Sequence, residues 1–352
     1  MNIFWNAQEN RLRALWRLII QFLLFFIISI VLGTIIGLIV AIKNFSTLQL
    51  DPNQAMEWAA TLAKDPLILL LSLPLSFISV LLSMWICAKF IDKRPFTDFG
   101  FRFSGFWWKD FAFGLALGAA LMTLIFLVEL GLGWVKIDGY NVAANTRSSF
   151  GLGMLIMVVR FLFVGIYEEM LSRGYQLHNL AEGLRAKMSP KTAVILAWIL
   201  SSFVFGLMHA RNPNATWIST IYLIVSGLFL GFGYILTREL AIPIGLHITW
   251  NFFQGPVFGF PVSGTGSEAY FIKTTQLGSD LVTGGKFGPE AGLIGLVALA
   301  LGSVLILLWV RATRSDASVK EELAIYSFAK LPAQPLDATP LPPAETPAGL
   351  DA

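Results

Sequence analysis

Eight stretches of this 352-residue chain are apolar enough, over about 20 residues each, to cross a bilayer as helices: 16–42, 67–88, 111–135, 151–177, 192–210, 217–237, 242–260 and 289–310. Lipid offers no hydrogen bonds to a backbone, so such segments must satisfy their own amides, which a helix does within a single segment. Only 13% of the residues are charged and 56% are hydrophobic, about half the charge of an ordinary soluble domain. The expected fold is therefore an all-α polytopic membrane protein of about eight transmembrane helices.

Several spans carry breaks, notably Pro74 in the second and Gly227, Gly231 and Gly233 in the sixth. Glycines at that spacing let neighbouring helices approach closely. The stretch 261–288 is polar enough to be read as a loop. From about Leu331 the tail PAQPLDATPLPPAETPAGLDA has nothing to bury and is expected to be disordered. Three regions follow: N-terminal helices with a cytoplasmic loop over 1–110, a membrane core over 111–315, and a cytoplasmic Pro/Ala-rich tail over 316–352. The opening MNIFWNAQENRLRALWR leads into an apolar run without a small-residue cleavage site, so it is read as a retained span. With the N-terminus inside, 17 of the 25 basic residues fall in inner segments and 7 in outer ones. This bias places both termini in the cytoplasm and the protein in the cell (inner) membrane. A net charge of +3 gives no sign of nucleic-acid binding, and the single cysteine, Cys87, excludes a disulfide framework or a CxxC metal site.

Polar residues inside apolar spans carry the chemistry. In GIYEEMLSRGY (165–175), Glu169 and Arg173 stand at i and i+4 on a helix and can pair. Glu168 is turned about 100° away by the helical period and keeps no local partner, which leaves it free to act as a base. The structural alternative is a pair of headgroup-level glutamates neutralised by arginine and water. In SSFVFGLMHARNPN, Phe205 and His209 share a face, so the ring can brace the imidazole; the alternative is a histidine that caps a span at the interface. In IGLHITWNF, His247 and Asn251 are again i and i+4. Together they can donate two hydrogen bonds to one oxygen, as an oxyanion site requires, or they can serve as interhelical polar glue.

A carboxylate, two imidazoles and an amide are the parts for activating water against a carbonyl. They are equally parts for a metal, in which case Glu168, His209 and His247 are the candidate ligands and zinc the candidate ion. No cofactor is certain from sequence. The zincin pattern HExxH, the serine motif GxSG and the aspartyl motif GxGD are all absent.

Glu168-Glu169-x-x-x-Arg173, Phe205-x-x-x-His209 and His247-x-x-x-Asn251 occur in order, each on its own predicted span, within 165–255. In this the chain resembles the CAAX prenyl protease and bacteriocin-processing family, also called Abi or Rce1-like proteases. DKRPFTDFGF (92–101) is similar to that family's upstream cytoplasmic segment. The resemblance implies helices enclosing a catalytic cavity, with 111–315 as the protease-like core. It implies an intramembrane endopeptidase, glutamic or metallo, that cuts near the C-terminus of a membrane-associated, CAAX-type protein or peptide. Glu168 would activate water, His209 would help hold it, His247 and Asn251 would form the oxyanion site, and Glu169, Arg173 and Phe205 would support them.

Two other classes stay open at this level: a transporter using the intramembrane carboxylates, and a non-catalytic scaffold or immunity protein of the same fold. Transporters often show paired repeats with matching broken helices, and none is evident here. Glu129 is expected to face an interface or to pair with a basic side chain, and Arg160 to partner Glu129 or line the cavity. His178 is expected at an exposed interface, and Trp107, Trp108, Trp134 and Trp309 at span ends as anchors. One tension is built into an eight-span arrangement. His209 ends an outward-running helix while His247 begins another near the inner face, so they meet only if the fifth helix is displaced toward the cytoplasm or 210–216 folds back.

Overall fold

The computed structural model describes residues 3–43, 65–144 and 148–327. Among the described residues nine helices carry the architecture: α1 (Ala14–Lys43), α2 (Pro66–Ile86), α3 (Gly105–Gly131), α4 (Phe150–Glu169), α5 (His178–Leu184), α6 (Pro190–Met208), α7 (Trp217–Thr237), α8 (Ala241–Phe252) and α9 (Leu293–Thr313). The all-α polytopic expectation is met, with seven helices among the described residues long and apolar enough to cross a membrane. Local chemistry fixes their starts. Ser104, Ser149 and Ser189 each cap a helix by accepting a backbone N–H from the first turn of α3, α4 and α6. Thr216 and Ser219 form a reciprocal capping box at α7.

The eighth apolar stretch, 242–260, folds differently from a long span. It gives the 12-residue α8, which a π-helical turn, Phe253–Val257, extends. Seven passages would leave the two chain ends on opposite faces. Yet the Arg11 guanidinium sits 3.4 Å above the ring of Tyr326, so the two ends of the described chain share a face. The eighth passage is α8 with its π turn, only roughly 25 Å long. It crosses surrounded by protein: Ala241 to His247 are all buried. Three glycines allow this. A Cβ on Gly114 or Gly118 would stand 2.4 Å from the carbonyl oxygens of Ile242 and Leu246, and one on Gly245 would stand 2.4 Å from that of Phe111. α3 and α8 therefore touch backbone to backbone.

Below α8 lies a protein floor made by the overshoot of one helix. α4, the π-helical segment Met170–Leu177 and α5 run as one rod of 35 residues, about 52 Å and well beyond the ~30 Å of a bilayer core. Its far end is buried among charges. The Glu182 carboxylate accepts from Arg11 and Arg17 at 2.8 Å and from Arg94, while Asp92 accepts from Arg17 at 3.0 Å and from the Tyr175 hydroxyl at 2.8 Å. His178 is part of this cluster, fully buried against Arg94, Asp98 and Glu182. That corrects the expectation of an exposed interfacial residue. An isolated imidazole looks like a surface group in sequence, and its partners come from distant segments.

The connector 261–288 is not simply a loop. Besides the short N-terminal strand pair β1 (Trp5–Asn6) and β2 (Arg11–Leu12), residues Ala269–Gln276 (β4) pair antiparallel with Val135–Ala143 (β3) after α3, in the register Val135 to Gln276 and Ala143 to Ala269. Glu129 is buried and accepts from the Gln276 amide at 2.8 Å, where a basic partner was one expectation. Among the tryptophans, Trp108 is exposed, while Trp107 is buried and donates to the Gly100 carbonyl at 3.0 Å. Cys87 is fully buried, in core packing. The boundary drawn at 316 falls within packed chain. Lys320 N–H donates to the Ile235 carbonyl, and Leu323 is fully buried. The Pro/Ala-rich tail from 328 onward lies outside the described residues.

Candidate active site

Gly174 faces Leu240 and Gly165 faces Ile248, so α4 and α8 run antiparallel with α8 starting level with Gly174. His247, seven residues into the passage, then stands level with Glu168 and Glu169. α6 rises from the overshooting end of α5, and its 19 residues bring His209, at its C-cap, to the same height. The displacement of the fifth span was one of the two options for convergence. It is realised because the rod of α4 and α5 carries the start of α6 far below the level at which α8 begins.

The motif residues meet here. Glu168 Oε2 lies 3.9 Å from His209 Nε2 and 3.9 Å from His247 Nε2. The other nitrogen of each ring is engaged. His209 Nδ1 is 2.8 Å from the Phe205 carbonyl oxygen, which can only accept, so Nδ1 carries the proton and Nε2 presents a lone pair. His247 Nδ1 is 2.8 Å from Glu169 Oε1, which fixes it in the same way. The same Glu169 oxygen accepts from Arg173 Nη1 at 2.9 Å, and Arg173 Nη2 donates to the Gly227 carbonyl at 2.9 Å. Phe205 packs between them: its ring centroid is 4.8 Å from that of His209 and 6.3 Å from that of His247, and the Arg173 guanidinium lies 4.5 Å over its face. Glu169 and Arg173 are wholly buried, whereas the Glu168 side chain keeps 21% of its surface.

Glu168 borders two cavities. One, of about 230 Å³, extends toward the turn of Val262, Ser263 and Thr265. His209, His247, Asn251, Arg160 and Glu290 line it. The second, of about 300 Å³, opens between α1, α2 and the π segment, and is bordered by Phe25, Val80, Leu171 and Met208. Glu168, Tyr167, Phe205, His209 and Asn212 form the wall common to both. Two loops roof the first cavity. Asn212 donates to the Ser263 carbonyl at 3.0 Å, Asn214 to the Gly264 carbonyl at 3.3 Å, and Ser263 N–H to Glu290 at 2.6 Å. Burial pushes the Glu290 carboxyl up to about 7, and hydrogen bonds from Ser263 and Gln254 offset part of that shift.

The tautomers of both histidines would suit a metal, but the spacing does not. A zinc ion about 2.05 Å from Glu168 Oε2 and from each Nε2 would open both N–Zn–O angles to about 144°, far from tetrahedral. Among the described residues no group of His, Cys, Asp and Glu is arranged to hold a metal ion. A water molecule does fit. About 2.8 Å from the carboxylate oxygen it reaches either nitrogen at an ordinary hydrogen-bond length, and its two protons serve Glu168 and one imidazole.

Sequence reasoning reached Glu168, Glu169, Arg173, Phe205, His209, His247 and Asn251, and all seven assemble here or line the cavity. It missed the bond from His247 to Glu169, the roof made by Asn212, Asn214 and Ser263, and the buried Glu290 with its partner Gln254. Nothing local marks these, since each partner lies tens of residues away. Arg160 lines the cavity, and so leaves Glu129 to Gln276.

A family model described as type II CAAX prenyl endopeptidase Rce1-like matches residues 150–253. This stretch holds all three motifs, and the match shows the resemblance drawn from them. The uncharacterized protein YyaK of Bacillus subtilis (strain 168) is 25% identical over 214 residues, 59% of this chain and 67% of that protein. No solved structure matches.

Proposed function

We propose that this membrane protein, Rce1-like over residues 150–253, is an intramembrane endopeptidase that hydrolyses a peptide bond near the C-terminus of a membrane-associated, CAAX-type protein or peptide. The observation that carries the reading is the convergence of Glu168 Oε2 with His209 Nε2 and His247 Nε2, each 3.9 Å away, on one cavity wall. Glu168 takes the proton of a water held between these atoms, and the resulting hydroxide attacks the scissile carbonyl. His209, its Nδ1–H committed to Phe205, orients that water through the Nε2 lone pair. Asn251 donates to the developing oxyanion. With Nδ1–H committed to Glu169, His247 joins it as a donor only when Nε2 also carries a proton. Glu168 then returns its proton to the leaving amine. The bilayer and the apolar second cavity suit a substrate with a lipid-like anchor. We place the enzyme in the cell membrane with both chain ends in the cytoplasm.

The test is a cleavage assay of the purified protein and its Glu168→Gln variant against a library of prenylated peptides, read by mass spectrometry. Cleavage by the wild type, with the variant folded but inactive, is the expected outcome. A library left uncut by the wild type, or cut equally by Glu168→Gln, would favour a non-catalytic scaffold of the same fold.

A further inference from the structure

Arg160 stands inside an apolar span, ten residues and about 15 Å from the start of α4. A cation at such depth is costly and calls for a partner or a task. Among the described residues no carboxylate lies within ion-pair distance of it, and its one ring contact is with the adjacent Phe161, 5.8 Å from the centroid. Glu290, which lines a cavity with Arg160, is engaged with Ser263 and Gln254. Arg160 is half-buried and lines the same cavity as Glu168 and the two histidines. The polar groups of Asn212, Ser263 and Thr265 share its lining. The cavity wall thus carries a base and, about two helical turns away on α4, a guanidinium with no carboxylate partner among the described residues.

The separation has a chemical meaning. Residues 160 and 168 lie eight apart on α4, about 12 Å along the helix axis. An extended peptide advances about 3.3–3.6 Å per residue, so roughly three residues span the distance from a carbonyl attacked at Glu168 to a group held by Arg160. A guanidinium binds a carboxylate through paired, charge-assisted hydrogen bonds. The apolar cavity on the opposite side of Glu168 leaves room for the other part of the chain.

Resting on the protease reading, we propose that Arg160 is a specificity-determining residue. It binds the substrate's terminal carboxylate and thereby sets the number of residues released. The arginine needs no counter-ion in the protein because the substrate supplies it. Loss of this contact affects which peptides are cut more than the attack itself.

The experiment uses the purified full chain and fluorescent peptides in which S-farnesylcysteine is followed by one to four aliphatic residues, each made as free acid and as carboxamide. For the wild type, the three-residue acid is expected to exceed its amide by ~10–100-fold in kcat/KM. In Arg160→Gln that ratio should collapse to about one, whatever the absolute rate, and Arg160→Lys should keep part of it. An acid-to-amide ratio near one in the wild type, or one unchanged in Arg160→Gln, overturns the proposal. Binding of the same peptides to Glu168→Gln, with and without Arg160→Gln, separates the two readings. Arg160-dependent preference for the acid sustains the carboxylate site even if no peptide is cut. Equal binding of acid and amide sinks it even if cleavage is seen.

Discussion

Glu169 Oε1 accepts hydrogen bonds from two directions, from His247 Nδ1 at 2.8 Å and from Arg173 Nη1 at 2.9 Å. The buried ion pair thus does more than support its own helix. It fixes the tautomer and tilt of an imidazole on another helix, 78 residues later, and so decides which nitrogen faces Glu168. Replacing Glu169 by Gln keeps the shape but removes the charge that holds Arg173 Nη1 and His247 Nδ1–H on one oxygen, so the ring loses its fixed tautomer and tilt. Glu169→Gln should lower kcat by about 10²–10⁴-fold with little change in KM. Steady-state kinetics would check it, and an equal fall in kcat/KM through KM alone would speak against the positioning role.

Arg173 is wholly buried and satisfies both Glu169 and the Gly227 carbonyl. Arg173→Ala leaves a carboxylate uncompensated in the protein interior, a change that costs about 3–5 kcal/mol. Thermal unfolding in detergent should show a clear drop in Tm together with loss of activity. A variant as stable as the wild type would mean that His247 alone neutralises Glu169.

Asn251 lines the cavity one turn beyond His247. As an oxyanion donor its removal in Asn251→Ala should reduce kcat by about 10²–10³-fold while the protein stays folded. Rates within twofold of wild type would leave His247 as the donor.

Burial pushes the Glu290 carboxyl from its ordinary 4.5 up to about 7. The folded state therefore holds this proton more tightly than the unfolded state does. Stability conferred by the protonated form is complete below pH 4.5, falls as pH rises toward 7, and is absent above it, by up to about 3 kcal/mol. Glu290→Gln, which cannot ionise, should flatten that slope. Tm measured from pH 4 to pH 8 for both proteins checks this, and parallel profiles would refute it.

Arg102 precedes α3, Lys273 lies on β4 beside the strand that follows α3, and both are solvent-accessible. With the chain ends in the cytoplasm, a membrane-impermeant thiol reagent applied to intact cells should label Lys273→Cys and spare Arg102→Cys. The reverse pattern would invert the orientation.

Much of this protein is written in short-range pattern. Apolar runs of membrane length dictated helices, because a backbone in lipid has no other way to satisfy its amides. The spacing of Glu169 with Arg173, Phe205 with His209 and His247 with Asn251 placed each pair on a common face, because 3.6 residues make a turn. What the pattern could not carry was height and contact between helices. That α8 is short and enclosed follows from Gly114, Gly118 and Gly245, whose missing side chains matter only once two backbones meet. That His209 and His247 stand level with Glu168 follows from the overshoot of α4 and α5, anchored by Glu182 among three arginines from elsewhere in the chain. The burial of His178, the bond from Glu169 to His247, the strand pairing of β3 with β4 and the solitude of Arg160 likewise belong to the tertiary structure. Each depends on which distant groups arrive beside it, and no local periodicity encodes a distance between segments.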